Sequence, residues 1–133
     1  MTVMKKRVLV IEDERFFLEG LQIALSGYEI TPAYSASRGM ELAQRRDFDA
    51  VLLDIMMSPL DDMDPECVNY GRTTGVELCR RIRDLKPNLP IVVLTVVRDP
   101  EILERIADAG ADRIINKPVP ASTISASLDE VLD

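Results

Sequence analysis

Four short runs of uninterrupted apolar residues recur along the chain, separated by longer segments of helical period. They are Arg7-Val8-Leu9-Val10-Ile11, Ala50-Val51-Leu52-Leu53, Ile91-Val92-Val93-Leu94 and Arg113-Ile114-Ile115. Runs without polar alternation are what strands need when helices cover both faces of their sheet. A weaker fifth, Glu29 to Tyr34, contains Pro32. Proline cannot donate to a central ladder, so this strand belongs at a sheet edge.

The intervening segments read as amphipathic helices. Leu18, Leu21 and Leu25 mark the first, Ala36, Met40 and Ala43 the second, with Ser35 as its cap, and Leu78, Ile82 and Leu85 the third. The fourth has Asp99 as cap and Pro100 in first position, with Ile102, Leu103, Ile106 and Ala107 inward and Ala109-Gly110 at its close. Ile124, Leu128, Val131 and Leu132 mark a fifth that docks at the end of the chain. A strand followed by a helix, five times over, gives an α/β doubly wound sheet. Right-handed crossovers make all its strands parallel and gather their C-terminal ends at one edge, where such folds bind ligands.

A chain of 133 residues accommodates one domain, expected to span residues 1–133. It holds no histidine, which excludes a histidine-containing triad, an imidazole base and a phosphohistidine of its own. With 16 Lys and Arg against 23 Asp and Glu, the net charge of −7 disfavours unaided binding to nucleic acid or an anionic membrane. The apolar runs fall well short of a membrane span. Cys67 and Cys79 lack any CxxC spacing and no signal peptide is discernible, so free thiols in a reducing cytoplasm are expected.

The strand ends carry the chemistry. Glu12 and Asp13 follow the first strand, Asp54 the third, Thr95 the fourth, and Asn116-Lys117-Pro118 the fifth. Read singly, each is ordinary polar edge, and Asp13 is a natural helix cap. Read jointly, three acids at one edge repel one another and call for a hard divalent cation such as Mg²⁺. Lys117 and Thr95 then offer a positive charge and a hydroxyl to phosphoryl oxygens, as phosphoryl transfer requires, with Asp54 placed as nucleophile.

RVLVIEDE, AVLLDIMM, PIVVLT and IINKPV, in this order, resemble the receiver domain of two-component response regulators of the chemotaxis-regulator-like kind, over essentially the whole chain. The resemblance implies a flavodoxin-like (βα)5 fold with strand order 2-1-3-4-5. It implies that Asp54 accepts a phosphoryl group from a phosphohistidine on a sensor histidine kinase or histidine phosphotransfer protein. Glu12, Asp13, Asp54 and the backbone carbonyl of Met56 would hold Mg²⁺, Thr95 and Lys117 would contact the phosphoryl group, and the Lys117-Pro118 bond would be cis. A downstream protein, and a second copy of the chain on phosphorylation, complete the expected partners. The chain ends on its fifth helix, which fits a stand-alone receiver or part of a longer protein equally.

Three departures stand out. Asp54 and Gly75 are 21 positions apart, about a dozen more than the family uses and far beyond the common strand-to-helix connection. The extra residues, within 58–74, carry Asp61, Asp62, Asp64 and Glu66 against Arg72 alone. A solvated loop is the simpler expectation, since loop length costs little; a segment that covers the site or selects the partner is the alternative. Ile114 stands where many receivers carry an aromatic switch residue. Met56, Val96 and Val97 leave no side chain near the acceptor that orients water well, which predicts slow self-dephosphorylation.

The expected function is a signalling switch, not a metabolic enzyme. A docking adaptor with weak switching is the alternative. An aspartyl-phosphate hydrolase fits less well, because Met56 stands where it would need a second acid. A nucleotide or flavin carrier lacks its glycine-rich loop.

Overall fold

The computed structural model describes residues 4–132. Strands β1 (Arg7–Ile11), β2 (Glu29–Ala33), β3 (Ala50–Leu53), β4 (Ile91–Thr95) and β5 (Arg113–Asn116) alternate with helices α1 (Arg15–Ala24), α2 (Ala36–Arg45), α3 (Thr74–Leu85), α4 (Pro100–Asp108) and α5 (Ala121–Leu132). All ladders are parallel and the strand order is 2-1-3-4-5. The strand with Pro32 lies at the edge, as its missing N–H requires, with Pro32 beside Val10 of β1. No helix among the described residues is long and apolar enough to cross a membrane.

Successive residues of β1 point to opposite faces and feed two cores. Leu9 and Ile11 pack with Leu42, Leu78, Ile82 and Ile106 of α2, α3 and α4. Val8 and Val10 pack with Leu18, Leu21, Ile124 and Leu128 of α1 and α5. Each fully buried aliphatic side chain contributes about 1.5–3 kcal/mol, and this two-sided burial explains why the strands read as unbroken apolar runs.

Capping agrees with expectation at α2, where the Ser35 hydroxyl accepts from the Arg38 N–H at 3.1 Å, and at α4, where the Asp99 carboxylate accepts from the Glu101 N–H at 2.9 Å. At α1 it does not. Glu14, not Asp13, is the cap, its carboxylate accepting from the Phe17 N–H at 2.7 Å, which leaves Asp13 unused by the helix. Ala107 faces solvent, and Leu85, at the end of α3, is 43% exposed. The apolar stripe of α4 centres on Ile106 and that of α3 on Leu78 and Ile82, a turn earlier than the outermost apolar residue.

The connection from β3 to α3 is folded rather than loosely solvated. Met57, Met63 and Val68 are buried along it, and Arg81 of α3 grips the Asp62 carboxylate through two hydrogen bonds at 2.9 and 3.0 Å. A tight turn at Asn69–Gly71 puts three successive residues at positive φ (50°, 53° and 98°) and bonds the Gly71 carbonyl to the Met57 N–H at 3.1 Å. Gly71 has no alternative there: a Cβ would stand 2.8 Å from the Met57 carbonyl oxygen.

Candidate functional site

Parallel strands of matched register end level with one another, so residues just past β1, β3, β4 and β5 share one edge. Glu12, Asp13 and Asp54 each bring a carboxylate oxygen there, all within 4.8 Å of one another. Glu12 and Asp54 are buried and Asp13 is exposed at the mouth. Lys117 reaches in from the end of β5, its Nζ lying 3.6 Å from Glu12 Oε2 and 3.5 Å from Asp54 Oδ2. The Lys117-Pro118 peptide is cis.

Local hydrogen bonds set these side chains. The Ile55 N–H donates to Asp54 Oδ1 at 2.7 Å, leaving Oδ2 toward Lys117. The Glu14 N–H donates to Glu12 Oε1 at 3.3 Å. The Lys117 N–H donates to the Thr95 carbonyl at 2.8 Å, so the ends of β4 and β5 are stitched together. The Thr95 hydroxyl is fully buried and accepts from the Val97 N–H at 3.2 Å, without a hydrogen bond to the carboxylates.

Burial dominates the electrostatics. It pushes the Glu12 carboxyl up to about 8, reinforced by hydrogen bonding to and repulsion from Asp54 and only partly opposed by Lys117. Asp13 is raised for the same leading reason, with Asp54 next. A group so placed retains its proton near neutral pH unless a cation replaces it. The donor set is all oxygen, clustered and short of positive charge, which fits a hard divalent ion. Met56, 42% exposed, lines an open groove of about 270 Å³ together with Asp13, Tyr70 and Arg72. Among the described residues its carbonyl accepts no hydrogen bond.

Glu12, Asp13, Asp54 and Lys117 are legible in the sequence as strand-end groups, whereas the contacts that support them, including the part played by Asn116, are not. Asn116 Nδ2 donates to the Val97 carbonyl at 2.7 Å, and Arg98 donates to the Lys117 carbonyl at 3.0 Å, tying the loop after Thr95 to β5. Phe17 lays its ring against the Lys117 ammonium, 4.3 Å from the centroid. Nothing in the helical period flags Phe17, which precedes the inward Leu18. Ile114 is half-buried and packs with the α2, α3 and α4 core.

The response regulator receiver domain family matches residues 8–129. The chain is 36% identical over 133 residues to the response regulator MprA of Mycobacterium sp. (strain KMS), covering 97% of this chain and 51% of that protein. It thus spans about half the length of the curated relatives it matches. A CheY-like response regulator receiver domain protein from Methanospirillum hungatei superposes with TM-score 0.77 at 27% identity, over 96% of this chain and 97% of that one. A response regulator from Burkholderia pseudomallei, solved with a phosphorylated aspartic acid, calcium ion and citrate, superposes with TM-score 0.76 at 26% identity, over 93% of this chain and 66% of that one. With its five parallel strands and its acidic cluster at their ends, the chain belongs to the response regulator receiver domain family.

Proposed function

We propose that the chain is a phosphorylation-controlled switch in which Asp54 is the phosphoacceptor, Thr95 and Lys117 contact the phosphoryl group, and Glu12, Asp13, Asp54 and the Met56 carbonyl hold Mg²⁺. The observation that carries this reading is the approach of Lys117 Nζ to Asp54 Oδ2 beside two further carboxylates. The phosphorylated aspartic acid and calcium ion of the Burkholderia relative support it. When bound, the metal supplies positive charge to the oxygens of the transferring group.

The chain's own residues do the rest. Asp54 Oδ2 attacks phosphorus as the bond from phosphorus to the donor's imidazole nitrogen breaks. The electron pair stays on that nitrogen, and because the other ring nitrogen is protonated the donor leaves as neutral histidine, with an acyl phosphate formed here. Lys117 balances the charge added to the pocket, and the hydroxyl of Thr95 donates to a phosphoryl oxygen. Burial of Asp54 limits the water that competes with the donor.

Receiver domains of response regulators are phosphorylated by histidine kinases, so the donor is a sensor histidine kinase or a histidine phosphotransfer protein, met in the cytoplasm. Output is a change of affinity for a downstream protein or a second copy of the chain. Residues 1–133 form one receiver domain with its insertion at 58–74. A docking adaptor with weak switching is the second reading, favoured by Ile114, whose side chain lacks the ring that would swing inward. Peptide mapping after exposure to a small phosphodonor and Mg²⁺ tests the assignment. A phosphoryl group on the peptide containing Asp54 supports it, and one elsewhere contradicts it.

A further inference from the structure

Among the described residues the Lys117 ammonium lies against Glu12, Asp54 and the ring of Phe17, and the two carboxylates hold it loosely. Its distances to Glu12 and Asp54, 3.6 and 3.5 Å, are long for charge-assisted hydrogen bonds, which run about 2.7–2.9 Å. The third is the face of Phe17, 4.3 Å from ring centroid to nitrogen, well inside the range of cation–π attraction. The lysine side chain is only 14% exposed, so this contact is made with little water to weaken it.

The ring is itself firmly placed. Phe17 stands in the first turn of α1, its N–H held by the Glu14 cap, and its side chain packs against the α1 and α5 core. With Val10, Leu52 and Leu94 it lines a small space that Glu12 and Asp54 also border. A ring differs from a carboxylate in what it leaves behind. It attracts the cation without neutralising it, so the N–H donors and the full charge stay available to an incoming anion. Glu12 and Asp54 are also the proposed metal donors, so their pull on the ammonium is shared; that of the ring is not.

We infer that Phe17 is a positioning residue for phosphoryl transfer, holding the Lys117 ammonium over Asp54 through its aromatic face. This deepens the reading above and rests on Lys117 contacting the phosphoryl group. A Phe17 that only fills space would be replaced without loss by any apolar side chain of similar bulk.

Fluorination weakens the ring's negative face step by step while nearly preserving its shape, so it separates the two roles. In the full chain, Phe17 is replaced by its mono-, di- and trifluoro forms and by F17L and F17Y. The initial rate of uptake from acetyl phosphate with Mg²⁺ is followed by intact mass. The logarithm of the rate should fall in proportion to the number of fluorines, reaching a loss of about three- to tenfold, with F17Y near wild type and F17L as slow as the trifluoro protein. In metal-free protein, NMR should show the Lys117 ε-methylene protons shifted upfield by the ring, and F17L should abolish that shift. Unchanged thermal midpoints across the fluorinated series keep the comparison clean. Rates independent of fluorination, or F17L matching wild type, would overturn the inference while Asp54 remains the acceptor. Failure of the wild-type chain to take up phosphate, or equal uptake by D54N, would defeat the underlying assignment and the inference with it.

Discussion

Gly75 lies against the peptide that follows Asp54: a Cβ there would stand 2.3 Å from the Asp54 carbonyl oxygen and 2.5 Å from the Ile55 Cα. The Gly75 N–H also donates to the Ile55 carbonyl at 2.7 Å, so α3 starts directly on the end of β3. Alanine improves helix propensity by at most about 1 kcal/mol. The clash, however, is with backbone that cannot turn aside, and overpacking costs about 1–3 kcal/mol or more. G75A should therefore lower the urea midpoint and slow phosphoryl uptake together. An unchanged midpoint would show that α3 can retreat freely.

The raised Glu12 carboxyl predicts how stability responds to pH. Its folded value, about 8, exceeds the ordinary 4.5 because of burial first and Asp54 second. The folded state thus binds the extra proton, and its contribution is complete below the unfolded value and lost as pH rises toward 8. In chelator, urea midpoints should fall from the acid to the alkaline end of that window, E12Q should flatten the slope, and Mg²⁺ should restore stability at the alkaline end. A midpoint that climbs across the window in chelator contradicts this.

The segment between β3 and α3 should be held by its buried side chains more than by its ion pair. Met57 is 3% exposed and joins the α2, α3 and α4 core, so M57A should cost about 2–5 kcal/mol. Asp62 is 72% exposed, and D62A should cost under about 1 kcal/mol. Chemical denaturation of both variants gives the comparison, and a larger loss from D62A would mean that the arginine clamp holds the segment.

Hydrolysis of the acyl phosphate should be slow. Met56, two residues after Asp54, and Val96, directly after Thr95, are substantially exposed and Val97 partly so, and none of these side chains can orient an attacking water. Loss of label from the Mg²⁺-bound phosphoprotein should take far longer than seconds, and M56N should shorten it several-fold. A lifetime of only seconds in the wild type would refute the argument.

The sequence made the sheet legible because burial on both faces leaves strands as unbroken apolar runs, and Pro32 marked its edge strand. Every charged member of the site could be read from the strand ends, since parallel register brings those ends level. Which acid caps α1 is not legible in the sequence, because Asp13 and Glu14 are adjacent and only backbone geometry chooses between them. The fold of the long connection was hidden for a different reason. Its anchors, Met57, Met63 and Val68, follow no helical or strand period, and its turn places Tyr70, a bulky type that rarely adopts positive φ, there beside Asn69 and Gly71. Asn116 and Phe17 act through neighbours distant in sequence, Val97 and Lys117, which no local pattern reveals.

The most direct measurement is intact mass after incubation with acetyl phosphate, for wild type and D54N, each with Mg²⁺ and with chelator. Wild type should gain one phosphoryl group with Mg²⁺ and little in chelator, and D54N none under either condition. Uptake by D54N equal to wild type, or uptake indifferent to the metal, would contradict it.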